Sequence, residues 1–175
     1  TMITSPTPLL GFAAWSGTGK TSLLTKLIPL LKDRGIRLAA IKHTHHNFEP
    51  DQPGKDSYEL RHAGADQVLV ASAKRSALMT ENRKQESEPD LQQLLPKLDH
   101  SQLDLILVEG FKHEPIPRIE LHRSALGKPL LYPNDPQIIA IAVARDEMIT
   151  PTILRLDLNN NTEIVEFIEQ QLPRK

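Results

Sequence analysis

Leu9-Leu10-Gly11-Phe12-Ala13, followed at once by Ala14-Trp15-Ser16-Gly17-Thr18-Gly19-Lys20-Thr21, decides the fold of this 175-residue chain. An apolar run that opens into two glycines, a lysine and a hydroxyl residue, and then into a helical pattern, is the sequence form of a phosphate-binding loop. Such a loop turns backbone N–H groups inward around a β-phosphate, brings a cation to the β- and γ-oxygens and offers a hydroxyl to Mg²⁺. Gly17 and Gly19 permit the turn, Lys20 supplies the cation and Thr21 the hydroxyl, and Ser16 and Thr18 complete the cradle.

Ala14 stands where the general pattern has its first glycine, a departure of one methyl group that a strand end accepts while φ stays negative. A bare Gly-Lys-Thr would read as an ordinary turn. The strand before it, the helix after it and the two glycine offsets make nucleotide binding the reading here.

The length fits one domain, residues 1–175, with residues 1–8 as a flexible N-terminal extension. With 21 basic against 22 acidic residues the net charge is -1, which removes the electrostatic case for nonspecific nucleic-acid binding. There is no cysteine, so thiolate metal sites and cysteine nucleophiles are excluded. No stretch reaches the roughly 18 apolar residues of a membrane span, and no leader is recognisable, so a soluble cytoplasmic protein is expected.

Lys20 to Arg34 has leucines and isoleucine at helical spacing and ends at Gly35, with Pro29 inside at a local cost of about 3 kcal/mol. Strands are expected at Arg37–Lys42, Val68–Ala71, Ser76–Thr80, Leu103–Val108, Ile138–Ala144 and Ile153–Leu158, with Arg118–His122 as an alternating edge strand. Short helices are expected at Asp56–Ala63, capped by Asp56, at Leu91–Leu98 and at Glu163–Leu172. Strands alternating with helices after a phosphate loop predict a doubly wound, mostly parallel α/β sheet with flanking helices, the P-loop NTPase fold. Ligands on such sheets lie at the carboxyl ends of the strands.

That rule selects further candidates. Glu109 ends the strand Leu103–Val108 and is assigned to Mg²⁺, directly or through water, or to orienting an attacking water. Lys42, His43 and His45 follow the second strand and are assigned to phosphate or anionic substrate, the alternatives being a metal cluster with His46 or a solvated polar loop. Asp146, after the late strand, is assigned to guanine, whose N1–H and N2 amino group a carboxylate accepts, with helix capping as its rival. Arg61 and His62 read as a charged helix surface.

Phe12-Ala-Ala-Trp-Ser-Gly-Thr-Gly-Lys-Thr21, Ile41-Lys-His-Thr-His-His46, Pro53-Gly-Lys-Asp-Ser-Tyr-Glu-Leu-Arg61 and Leu103-Asp-Leu-Ile-Leu-Val-Glu-Gly-Phe-Lys-His113 together resemble the molybdopterin-guanine dinucleotide biosynthesis protein B family, MobB. The resemblance implies a GTP-binding protein, a homodimer, that assists a MobA-type guanylyltransferase in attaching GMP to molybdopterin. It implies nucleotide contacts at Ser16, Gly17, Gly19, Lys20 and Thr21 and a site carboxylate at Glu109; Ala14 in place of glycine is part of the family's pattern. The expected function is thus an adaptor with slow, Mg²⁺-dependent GTPase activity in which Lys20 and Glu109 are catalytic and Thr21 and Glu109 hold the metal. Slow turnover agrees with the absence of a nameable arginine finger. A small-molecule kinase and a nickel-chaperone GTPase are the alternatives.

Overall fold

The structure is a computed structural model that describes residues 3–44, 48–83 and 88–173. Its first strand, β1 (Leu9–Ala13), runs through Gly17 and Gly19 into helix α1 (Lys20–Asp33), and β2 (Leu38–Lys42) follows. Then come α2 (Asp56–His62), β3 (Gln67–Ala71), β4 (Ser76–Thr80), α3 (Leu91–Leu94), β5 (Leu105–Glu109), β6 (Arg118–Leu121), β7 (Ile138–Val143), β8 (Leu154–Asp157) and α4 (Asn161–Gln170). The chain divides into two compact units, one from residues 1–43 and 90–175 and the other from residues 44–89.

The first unit carries a six-stranded sheet in the order β2-β5-β1-β6-β7-β8, with every pairing parallel. Alternate residues of β5 enter different cores: Leu105 and Leu107 join α1 and α4, whereas Ile106 and Val108 join Leu91 and Leu95. A strand covered on both sides must be apolar throughout, which explains the unbroken run before Glu109. Leu27 and Leu31 of α1 and Ile164 and Ile168 of α4 are fully buried in the first core. Each such side chain contributes about 2 kcal/mol through removal from water. The doubly wound parallel sheet expected from the sequence is the observed architecture.

Several local expectations change. Arg118–Leu121 is a central strand between β1 and β7, not an edge, and all four residues are buried. Its polar side chains mimic an exposed face but are satisfied internally: Arg118 donates to the carbonyls of Ile116, Phe111 and Glu114, and Glu120 accepts from the amides of Leu131 and Tyr132, both at 2.8 Å. Burial pulls the Arg118 guanidinium pKa down, and Asp135 and Glu114 oppose that pull. Residues 4–8 are fastened where a flexible extension was expected. Thr4 exchanges two hydrogen bonds with the Gln92 amide, the Thr7 hydroxyl lies 2.9 Å from His100 Nδ1, and Ile106 donates to the Pro8 carbonyl.

Third, Asp56 does not cap α2, because Lys55 holds the N-cap position and Glu59 accepts from the Gly54 amide instead. Fourth, the helix expected at Leu91–Leu98 stops being α-helical at Leu94 and continues as a short 3-10 turn, since Pro96 lacks the next amide donor.

The second unit packs α2 against the antiparallel hairpin of β3 and β4. Arg61 is buried there and pairs with Glu49, with Asp51 at 2.7 Å and with Glu81 at 2.8 Å, so it is a structural hub and not the charged helix surface expected. The hydrogen bonds it donates to Glu81, Asp51 and Glu49 raise its pKa above the usual arginine range.

Candidate functional site

Parallel strands place all their carboxyl ends on one rim, and the order β2-β5-β1 makes Lys42, Glu109 and the start of the glycine loop neighbours. In register, Glu109 lies between Phe12 and Lys42. Lys20 Nζ is 3.6 Å from Glu109 Oε1, and Lys42 Nζ is 3.5 Å from Oε2. The Lys20 and Glu109 side chains are 22% and 23% exposed and Lys42 is 67% exposed, so the carboxylate sits in a half-sheltered notch between an inner and an outer cation.

The loop itself is shaped by Gly17 at φ 83° and Gly19 at φ 98°, left-handed values that side chains disfavour. Thr18 is buried; its hydroxyl and its amide both donate to the Trp15 carbonyl, at 2.7 and 3.2 Å. Thr18 therefore works as an internal brace of the loop. Gly19 caps α1 without a side-chain hydrogen bond, and the first turn contains no acidic residue. The opening amides of α1 lack partners within the helix, and the helix dipole adds positive potential, which together favour an anion. Ser16, Gly17 and Thr21 are exposed around that opening.

His43 donates its backbone amide to the Glu109 carbonyl at 2.8 Å, and its ring stacks on Phe111 with centroids 4.8 Å apart. A Cβ on Gly110 would lie 2.7 Å from His43 Cβ, so glycine is required there by His43 itself. The imidazole accordingly buttresses the rim. His45 and His46 lie outside the described residues. Among the described residues no group of three or more histidines, cysteines or carboxylates comes together as a metal cage, and no helix is long and apolar enough to cross a membrane.

Asp146 is exposed in the turn after β7. It caps no helix, because the next element is β8, which removes the rival reading. β7 is two strands from β1, about 10 Å along the sheet. Arg155 of β8 frames this turn by donating to the carbonyls of Ala144, Arg145, Glu147 and Ile149.

Sequence reasoning did not single out a second loop beside the glycine loop. After β6, Arg123 Nε donates to the Thr18 carbonyl at 2.9 Å, and farther on the Pro129 carbonyl accepts from Trp15 Nε1 at 2.9 Å, with Lys128 Nζ 5.6 Å from the indole centroid. Ser124 is in turn bound to Glu147. The rim rule would have selected Arg123 had β6 been read as central.

A parallel doubly wound sheet whose central strand opens through a glycine-built anion cradle into a helix defines a P-loop NTPase-type protein. The pattern of one family, described as Molybdopterin guanine dinucleotide synthesis protein B, matches residues 9–144. The chain belongs to that MobB family. It is 53% identical over 169 residues to the Escherichia coli (strain K12) molybdopterin-guanine dinucleotide biosynthesis adapter protein, covering 96% of this chain and 95% of the relative. It is 47% identical over 166 residues to the Haemophilus influenzae protein of the same name, covering 94% and 89%. A crystal structure of molybdopterin-guanine biosynthesis protein B superposes with a TM-score of 0.72 at 27% identity over 93% of this chain and 97% of that one. Bacillus subtilis MobB, at 23% identity and a TM-score of 0.70 over 96% and 99%, shares the fold.

Proposed function

We propose that this protein is a GTP-binding adaptor with slow GTPase activity that assists a MobA-type guanylyltransferase in attaching GMP to molybdopterin, in the cytoplasm. The observation that carries the reading is the placement of Glu109 between Lys20 and Lys42 beside the Gly17–Gly19 cradle, in a chain of the MobB family. An adapter role in molybdopterin guanine dinucleotide biosynthesis comes from the named relatives that cover nearly the whole chain.

The side chains on the rim suit a nucleotide with a divalent cation. Lys20 would meet the β- and γ-phosphates, with amides of Gly17, Gly19 and the first turn of α1 around the β-phosphate. Mg²⁺ prefers hard oxygen donors, and Thr21 and Glu109 supply a hydroxyl and a carboxylate; bound there, the metal would neutralise charge on the phosphate oxygens. Lys20 would then shift from Glu109 towards phosphate, leaving Glu109 to the metal or to a water. Asp146 is the proposed guanine reader. Lys42, His43 and His45 are the proposed contacts to a phosphate or anionic substrate group.

A homodimer is part of the same reading. It is supported by the second unit, where Leu69 and Leu78 face each other across the hairpin and are both largely exposed, an apolar pair suited to coverage by protein.

The test is the fate of the γ-phosphate when the protein is incubated with γ-labelled GTP, Mg²⁺ and molybdopterin. Label should appear slowly as inorganic phosphate. Label on a small acceptor would establish a kinase instead.

A further inference from the structure

The Arg123 guanidinium reaches the glycine loop from the chain that follows β6, and its position is fixed from several directions. Glu120, fully buried, holds the far end of this chain through the amides of Leu131 and Tyr132. Trp15 reaches across from the glycine loop to the Pro129 carbonyl. Ser124, the next residue, is bound through its amide to Glu147 in the neighbouring loop. Between these anchors Arg123 Nε donates to the Thr18 carbonyl at 2.9 Å, and Arg123 Nη2 lies 3.9 Å from where a Cβ on Gly19 would stand.

We propose that Arg123 is a positioning residue for nucleotide binding, which acts by orienting and polarising the Thr18–Gly19 peptide so that the Gly19 amide is presented to a β-phosphate. This rests on the nucleotide-binding reading of the loop. A trans peptide is planar, with C=O and N–H pointing in opposite directions. Drawing the Thr18 oxygen towards Arg123 therefore turns the Gly19 N–H away from Arg123. Gly19 needs such a restraint, because a left-handed glycine at φ 98° has no side chain to fix its peptide plane. A hydrogen bond from a cation is stronger than a neutral one and polarises the amide at the other end of the peptide, making it a better donor to an anion. The arginine fork also leaves Nη donors beside Gly19 that a shorter or uncharged side chain would not supply.

The consequence is selective for phosphate number. GTP and GDP both have a β-phosphate, whereas GMP does not. Calorimetry on the full chain with Mg²⁺ should show that Arg123→Ala weakens GTP and GDP by about tenfold each, the scale of one lost charge-assisted contact. GMP affinity and the thermal midpoint should stay unchanged, because Arg123 is exposed and carries no core packing. Arg123→Lys, which keeps a charged N–H donor, should recover part of the loss. Unchanged GTP and GDP affinity would overturn the proposal, as would an equal loss for all three nucleotides, which would mark Arg123 as structural only. Lys20→Ala is measured in parallel. If Lys20→Ala weakens GTP and Arg123→Ala does not, only the role of Arg123 falls; if neither matters, the nucleotide reading of the loop falls with it.

Discussion

Lys20 combines a half-sheltered ammonium with a carboxylate partner that has a second cation in reserve, Lys42. Removing it should leave the fold intact. Lys20→Ala should therefore weaken triphosphate binding by about 2 kcal/mol or more, the loss of one charge-assisted contact in a partly desolvated site; calorimetry beside thermal melting separates this from a stability effect. Unchanged affinity with a lower melting point would make Lys20 structural. Glu109→Gln keeps size and removes charge. Nucleotide binding should persist, Mg²⁺ dependence should weaken and hydrolysis should slow, as a Mg²⁺ titration of phosphate release would show. Asp146→Asn tests base reading by reversal: an amide can donate to the C2 carbonyl of xanthine, which a carboxylate repels. Competition binding should move the preference from GTP towards XTP by about tenfold, the scale of one hydrogen bond to a charged group at about 1.5 kcal/mol. An equal preference in both proteins would return Asp146 to a plain turn residue.

Elements explain why part of the rim was legible in the sequence and part was not. β1, the glycine loop and α1 are local: spacing and residue type suffice to place Lys20 and Thr21. Glu109 was legible because β5 is apolar on both faces and ends in a single carboxylate. β6 misled because alternation of Arg118, Ile119, Glu120 and Leu121 is the pattern of a half-exposed strand, whereas here buried polar groups satisfy amides and carbonyls of the irregular segments before and after the strand. Pairing with irregular backbone leaves no periodic mark in the sequence, so Arg123 and the loop it anchors were missed with it. Arg61 escaped for the same reason, its partners lying at Glu49, Asp51 and Glu81. Burial would push the Asp51 pKa up, but hydrogen bonds from Arg61 and Ser57 and the charge of Arg61 outweigh it and hold the carboxyl below its usual range. A depressed carboxyl pKa stabilises the fold above the unfolded value of about 3.9 and loses that contribution as pH falls through the folded value. Amide-exchange protection of β3 and β4, corrected for intrinsic rates, should thus decline below about pH 4. Asp51→Asn should flatten that acid response; an unaltered pH profile would remove Asp51 from it.

At the scale of the whole molecule, the alternation of strands and helices was enough to give the parallel doubly wound sheet, because buried parallel strands and amphipathic helices leave strong periodic marks. The division into two units was not read from the sequence, although the charged stretch 81–90, which has no large apolar residue, falls where the second unit ends. What the molecule does as a whole turns on whether the proposed nucleotide site serves a partner transferase. The direct measurement is formation of molybdopterin guanine dinucleotide from MobA-type transferase, molybdopterin, Mg²⁺ and limiting GTP, with this protein, without it and with Lys20→Ala. Product should form faster with the intact protein, and that gain should be lost in the Lys20→Ala variant. Equal rates in all three mixtures, with the intact protein shown to be folded, would contradict the proposed adaptor role.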